Sequence, residues 1–274
     1  KGNERVITAR FNDAGFFFRE DRKHKLIDKV ESLKTVVFHK DLGTIYDKVE
    51  RVKKAAAVLG KEFGVDAAAA KKIDRAVTLS KADLNTAMVF EFTSLQGKIG
   101  RIYATMDGED ADVAEAIDDH YRPRFQGDKL PSSMVSITLS LSEKIDNLYG
   151  SFSVGNIPKG SADPYALRRQ SHAIVELLVR NKLHCRLDKV CEAVAANYKD
   201  GASLTGQILD FIQTRAKTLL SDEGIRYDEV DAVLSTGSFD FYELFLRATS
   251  LHEFRSDAAF SSMLLSFKRM NNIL

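Results

Sequence analysis

The sequence predicts an all-α fold, and three observations carry that expectation. All four prolines, Pro123, Pro131, Pro158 and Pro164, fall in one window and leave the remaining long segments uninterrupted. Those segments repeat apolar residues at helical spacing. Residues that start and stop helices punctuate them, with Asp66 and Asp163 placed as N-caps and Gly64 in the usual closing position.

From Glu4 to about Arg22, Ile7, Phe11, Ala14, Phe17 and Phe18 form one face, with Asn3 placed as the N-cap. Lys23 to Val37 predicts a second helix through Leu26, Val30 and Leu33. Thr44 to Phe63 sets Ile45, Val49, Val52, Ala56 and Leu59 opposite a lysine- and arginine-bearing face. Asp66 to about Leu79 opens on an acidic cap and four alanines, which favour helix and allow close neighbours. A helix starting at Asn85 or Thr86 runs through Val89, Phe92, Leu95, Ile99, Ile102 and Tyr103, with Gly97 and Gly100 inside it for close packing.

Asp107 to Asp119 holds seven acidic residues and no basic one, read as a turn at Gly108 and the solvated acidic start of a short helix. Its spacing does not fit an EF-hand loop. The following HYRPRFQGDKLP sets Arg122, Arg124 and Lys129 beside Tyr121 and Phe125 on a loop, a combination suited to phosphate and base contacts in RNA. Ser132 to Phe152 predicts a long helix with Asp146 among apolar neighbours. GNIPKGSADP then leads to a helix start at Pro164, a small-residue loop able to hold a phosphate but without P-loop spacing. Helices follow at about Tyr165 to Leu183, Leu187 to Tyr198, Leu204 to Asp222, Asp228 to Ser235, Phe239 to Phe254 and Asp257 to Ile273, as successive hairpins without a strict repeat.

At 274 residues and 44% hydrophobic, the chain can bury a large core. Its 40 basic and 39 acidic side chains nearly cancel, so any nucleic-acid footprint has to be a local patch. Cys185 and Cys191 match no zinc spacing and read as small buried side chains in a reducing compartment. No run approaches the roughly 18 apolar residues of a membrane span, and KGNERVITAR has no apolar signal core, which together point to the cytoplasm. A start on Lys1 and an end on NNIL suggest a piece of something longer.

The chain carries FEFTSLQGKIGRIYA, GED, DDHYRPRFQGDKLP, SEKIDNLYGSFSVG, IPKGSADPYALRR and FKRMNNIL in order, with GNERVITARFNDAGFFFREDRK and LGTIYDKVERV ahead of them. With these motifs it closely resembles the beta subunits of bacterial glycyl-tRNA synthetase. The resemblance implies an internal portion of that subunit: an HD-like helical domain over residues 1–160, with N-terminal lead-in helices, and a helical-hairpin extension over 161–274 leading towards an anticodon-binding domain. It implies an alpha2beta2 enzyme in which the alpha subunit activates glycine with ATP and Mg2+, while beta binds tRNA(Gly) and scaffolds. No catalytic residue and no cofactor is then expected in this piece, which should not aminoacylate alone.

An HD phosphohydrolase would need a histidine, an adjacent His-Asp pair and a distant aspartate around a metal that activates water. His39, His120 and Asp146 resemble parts of that pattern, but LSKADL places Lys81 and Asp83 where the pair would stand. An ammonium group has no lone pair for a metal, so the site reads as degenerate and metal-free. The candidates for tRNA contact are Arg101, Arg122, Arg124, Lys129, Lys159, Arg168 and Arg169. Two other classes stay open: a metal-dependent HD-type hydrolase and a purely structural helical connector.

Overall fold

Thirteen α-helices are found among the residues that the computed structural model describes, 2–125 and 127–271. They are α1 (Gly2–Asp21), α2 (Ile45–Glu62), α3 (Ala67–Leu79), α4 (Ala87–Glu91), α5 (Lys98–Met106), α6 (Ala111–Asp119) and α7 (Met134–Ser153). They continue as α8 (Leu167–Arg180), α9 (Leu187–Ala195), α10 (Gly201–Asp222), α11 (Tyr227–Leu234), α12 (Phe241–Phe254) and α13 (Ala258–Asn271). The all-α expectation holds. The predicted final residues through Ile273 lie outside the described residues.

Local chemistry explains the helix starts that the sequence marks. Thr44 accepts the Asp47 amide while the Asp47 carboxylate accepts the Thr44 amide, a reciprocal box that opens α2. Asp66 and Ser133 cap α3 and α7 by accepting from Ala69 and Ser136.

Two hydrophobic clusters meet along α2 and α7. Val49, Val52 and Ala56 of α2 join Val135 and Leu139 of α7 in the first, with Ile73, Val77, Ile99, Tyr103 and Ile117. One turn further round, Ala55 and Leu59 join Ile145, Leu148 and Tyr149 in the second, with α8, α9, α10 and α12. Each helix feeds both clusters because its buried arc is wide. On α7 even Ser136, Thr138, Ser140 and Ser142 are buried, each fully. This central position is what carries the polar side chains of α7 into the interior. Cys185 and Cys191 are free thiols buried in the second cluster.

Three expectations change. Lys23 to Val37 forms two short 3-10 turns, Leu26–Lys29 and Glu31–Thr35, instead of a helix. They lead into a small antiparallel pair, β1 (Val37–His39) and β2 (Gly43–Thr44), which the sequence did not announce. The Asp107 carboxylate accepts the Leu26 amide at 2.6 Å and so ties the first turn to the end of α5.

The helix expected from Asn85 to Tyr103 breaks after α4, passes a 3-10 turn at Thr93–Leu95, and resumes at α5. Asp21 stabilises the start of α4 by accepting from Ala87 and Met88. Gly97 is therefore no interior glycine: it precedes α5 with φ of +81°, and a Cβ there would stand 2.7 Å from the Tyr121 ring. Gly100 does serve packing, since its Cβ would lie 2.6 Å from Ile117.

Finally, α8 starts at Leu167 and not at Pro164, while Asn3 lies inside α1. No described helix is long and apolar enough to cross a membrane.

Candidate nucleic-acid interface

Helix α7 presents Glu143, Lys144 and Asp146 to the interior, and α2 answers with Lys48 and Arg51. Lys48 Nζ lies 2.8 Å from Asp146 and 3.5 Å from Glu143. Lys81 Nζ lies 3.0 Å from the same Glu143 oxygen and donates to His120 Nε2 at 2.9 Å. Asp146 also accepts from Arg51 Nε at 3.1 Å and, in a short bond, from the Tyr198 hydroxyl. The result is a buried chain of alternating charge, His120, Lys81, Glu143, Lys48, Asp146 and Arg51. Burial works to raise the Glu143 pKa, but Lys48, Lys81 and His120 outweigh it and hold the carboxyl well below its usual range.

Of the five HD-type candidates, Lys81, His120 and Asp146 join this chain, while His39 and Asp83 lie apart from it. His39 sits at the surface in β1, accepting the Asp41 amide on Nδ1. Asp83 turns away to accept the amides of Gly97 and Gly100, and burial raises its carboxyl to about 6 despite those bonds. His120 is buried, and its ring donates through Nδ1 towards Ala116 O while Lys81 occupies the Nε2 lone pair. That tautomer fits a pKa pushed well below the ordinary value by burial and by Lys81. Asp146 lies on the far side of Lys48 from Glu143. Among the described residues no three His, Cys, Asp or Glu side chains are grouped as metal ligands.

Lys144 links this interior to the arginine loop. Its ammonium donates to the carbonyls of His120 (3.1 Å) and Arg122 (2.8 Å) and to Ser140 Oγ (2.6 Å). Burial pushes its pKa down from 10.5 to about 7, against the pull of Glu143 and with help from Lys81. The unfolded chain therefore binds more protons than the folded one between about pH 7 and 10.5, so this group's penalty on folding is full below pH 7 and fades as pH rises through that window. Urea unfolding of wild type and Lys144→Met checks the sign. Wild-type stability should rise relative to the variant from about pH 7 upwards, by at most about 1.4 kcal/mol per pH unit. A difference that stays flat with pH would contradict the placement.

Outside the loop, two clefts adjoin and share Pro123 and Arg169. The first, about 350 Å³, runs from Gln96 past Tyr121 and Arg124 to Glu143 and Gln170. The second, about 340 Å³, lies between α8 and α10 and carries Arg168, His172 and Arg215, with Phe125 exposed at its edge. Arg169 has no ion-pair partner among the described residues. Arg124 pairs with Asp118 at 2.7 Å, and Arg215 has a buried Nε without a partner. The guanidinium of Arg168 straps the preceding loop by donating to Gly160 O at 2.6 Å, yet the residue still lines the second cleft.

The other basic candidates fall outside both clefts. Arg122 turns towards Asp119 and Asp128, at 3.1 and 3.0 Å. Arg101 and Lys129 lie at the surface 3.8 and 3.9 Å from Asp118 and Glu115. Lys159 is exposed in the loop before α8. That loop is no open phosphate site, because the Asp163 carboxylate already accepts the Leu167 and Arg168 amides. Nor is the acidic stretch simply solvated. Asp118 and Asp119 are buried, Glu109 pairs with Arg75, and Asp110 and Asp112 pair with Lys72.

Sequence reasoning missed Arg215 and His172. Helical spacing held the signal: Arg169, His172 and Glu176 follow one stripe of α8, and Arg215, Thr218 and Asp222 follow the facing stripe of α10.

An all-helical protein with a basic, aromatic-edged double cleft is the class these features define. A family model described as glycyl-tRNA synthetase beta subunit matches residues 1–235, and the chain belongs to that family. The glycine–tRNA ligase beta subunit of Syntrophomonas wolfei is 46% identical over 278 residues, covering 99% of this chain and 40% of the relative. Those of Clostridioides difficile and Haemophilus influenzae are 44% and 40% identical, over 99% and 100% of this chain and 40% of each relative. The chain spans about 40% of the length of these curated relatives.

Proposed function

We propose that this chain is the part of a glycine–tRNA ligase beta subunit that holds tRNA(Gly) along the double cleft. In this reading it works in the cytoplasm within an alpha2beta2 enzyme, whose alpha subunit activates glycine with ATP and Mg2+, and has no catalytic role of its own. Residues 1–160 form its HD-like part and 161–274 the extension. The observation that carries the RNA reading is the convergence of Arg124, Arg168, Arg169 and Arg215 with exposed Phe125 on two adjoining clefts. Guanidinium groups suit phosphates, and an exposed ring suits an unstacked base.

The HD-type metal site is degenerate in this reading. Lys48 and Lys81 hold tethered positive charge beside Glu143 and Asp146, where a metal would otherwise supply it, and Lys81 takes the His120 lone pair. The test of the RNA reading is the salt dependence of tRNA affinity in the intact beta subunit. Arg169→Glu should weaken binding and flatten the slope by about 1. An unchanged affinity and slope would remove the cleft from the binding surface.

A further inference from the structure

The loop between α6 and α7 supplies Pro123 to both clefts, Arg124 to the first and Phe125 to the second. Its backbone has few ways to be held against the rest of the protein. Pro123 has no N–H, so the peptide it shares with Arg122 can be fixed only through the Arg122 carbonyl. Asp128 closes the loop on itself by accepting the Arg124 and Lys129 amides, each at 2.8 Å. Those bonds set the shape of the loop and not its place on the protein.

Its place is set by α7. Lys144 is 4% exposed, and its three donors meet three acceptors, the His120 and Arg122 carbonyls and Ser140 Oγ. Ser140, one turn earlier and fully buried, lies 3.3 and 3.1 Å from the same two carbonyls. Among the described residues no other side chain bonds either carbonyl. The His120 ring is also held by Lys81, so the Arg122 carbonyl is the point at which α7 governs the residues that follow. With its donors all engaged inside the protein, Lys144 has no N–H left for a phosphate. Packing alone gives no reason for a charge here, because an apolar side chain of similar volume avoids the cost of burying an ammonium.

We propose that Lys144 is a positioning residue for RNA binding, which sets Arg124 and Phe125 into their clefts by tying the Arg122 carbonyl to α7. The inference rests on the RNA reading for what those two side chains grip.

The affinity of the intact beta subunit for tRNA(Gly) tests it. Lys144→Met should weaken binding about three- to tenfold, the range of coupling between groups that act together. That loss should vanish in the Arg124→Ala and Phe125→Ala double variant, where nothing is left to position. It should persist beside Arg215→Ala, whose guanidinium α10 carries independently of the loop. A Lys144 that only supports the fold would weaken every background alike. Ser140→Ala disturbs the interior less and should give a smaller loss with the same dependence on background. Wild-type affinity in both Lys144→Met and Ser140→Ala, or an equal loss in every background, would overturn the proposal.

Trypsin reads the tie without RNA. Arg122 resists cleavage because proline follows it, so the loop is cut after Arg124 and Lys129. Both cuts should be several-fold faster in Lys144→Met than in wild type, and unchanged rates would also overturn the proposal. If Lys144→Met binds tRNA like wild type while Arg169→Glu weakens it, the positioning role fails and the RNA reading stands. If Arg169→Glu is silent as well, the RNA reading fails and this role falls with it.

Discussion

Replacing Lys48 with alanine is expected to cost on the order of 3–5 kcal/mol of folding stability, because it breaks a buried ion network from one side only. Lys48 is 2% exposed and, among the described residues, the single side chain that forms ion pairs with both Glu143 and Asp146. Its ammonium also donates to Asn147 Oδ1 at 2.6 Å. Without it, Asp146 keeps Arg51 and Tyr198 and Glu143 keeps Lys81, but the two buried carboxylates lose the cation they share. The Lys48→Ala and Asp146→Ala double variant should lose less than the sum of the singles, since the second change removes a charge that the first left unpaired. Denaturant unfolding of the four forms gives the coupling directly. A Lys48→Ala protein within about 1 kcal/mol of wild type would show that the network is solvated and not structural.

The second large effect falls on RNA binding. Reversing Arg124, Arg169 and Arg215 together changes six units of charge along two adjoining clefts. If each contacts one phosphate, the slope of log affinity against log salt should flatten by about 2–3, and affinity at low salt should fall by well over tenfold. Arg124 carries a complication that the other two lack. Its guanidinium pairs with buried Asp118, so its reversal leaves that carboxylate facing another and lowers stability as well. Among the described residues Arg169 and Arg215 have no such partner carboxylate, and their double reversal should reproduce most of the affinity loss with an unchanged melting temperature. Reversal of Lys129, which lies outside both clefts, is the matched control and should change little.

The starts of α2, α3 and α7 were legible because capping is local chemistry: Thr44, Asp66 and Ser133 each satisfy an amide within three residues. The 23–37 segment was not legible for the opposite reason. Leu26, Val30 and Leu33 have a spacing that serves 3-10 turns as well as an α-helix, and the deciding contact, Leu26 to Asp107, comes from a distant segment. The same holds for Gly97, whose role depends on Tyr121 and Asp83.

At the site, sequence singled out Arg124, Arg168 and Arg169 from their loops and helix start, but it could not tell that Arg122 is taken by Asp119 and Asp128. Nothing in the local sequence marks Lys48 or Glu143 as an interior charge. Only packing of α2 on α7 brings Lys48 to Asp146, 98 residues along the chain, and turns those charges inward.

The most direct test of the account is a hydroxyl-radical footprint of the intact ligase with and without tRNA(Gly). Bound tRNA should protect Phe125 and His172, which line the second cleft, and leave exposed Phe11 and Met263 on α1 and α13 as reactive as before. Protection confined to α1 or α13, with Phe125 and His172 unchanged, would contradict the placement of RNA in this cleft.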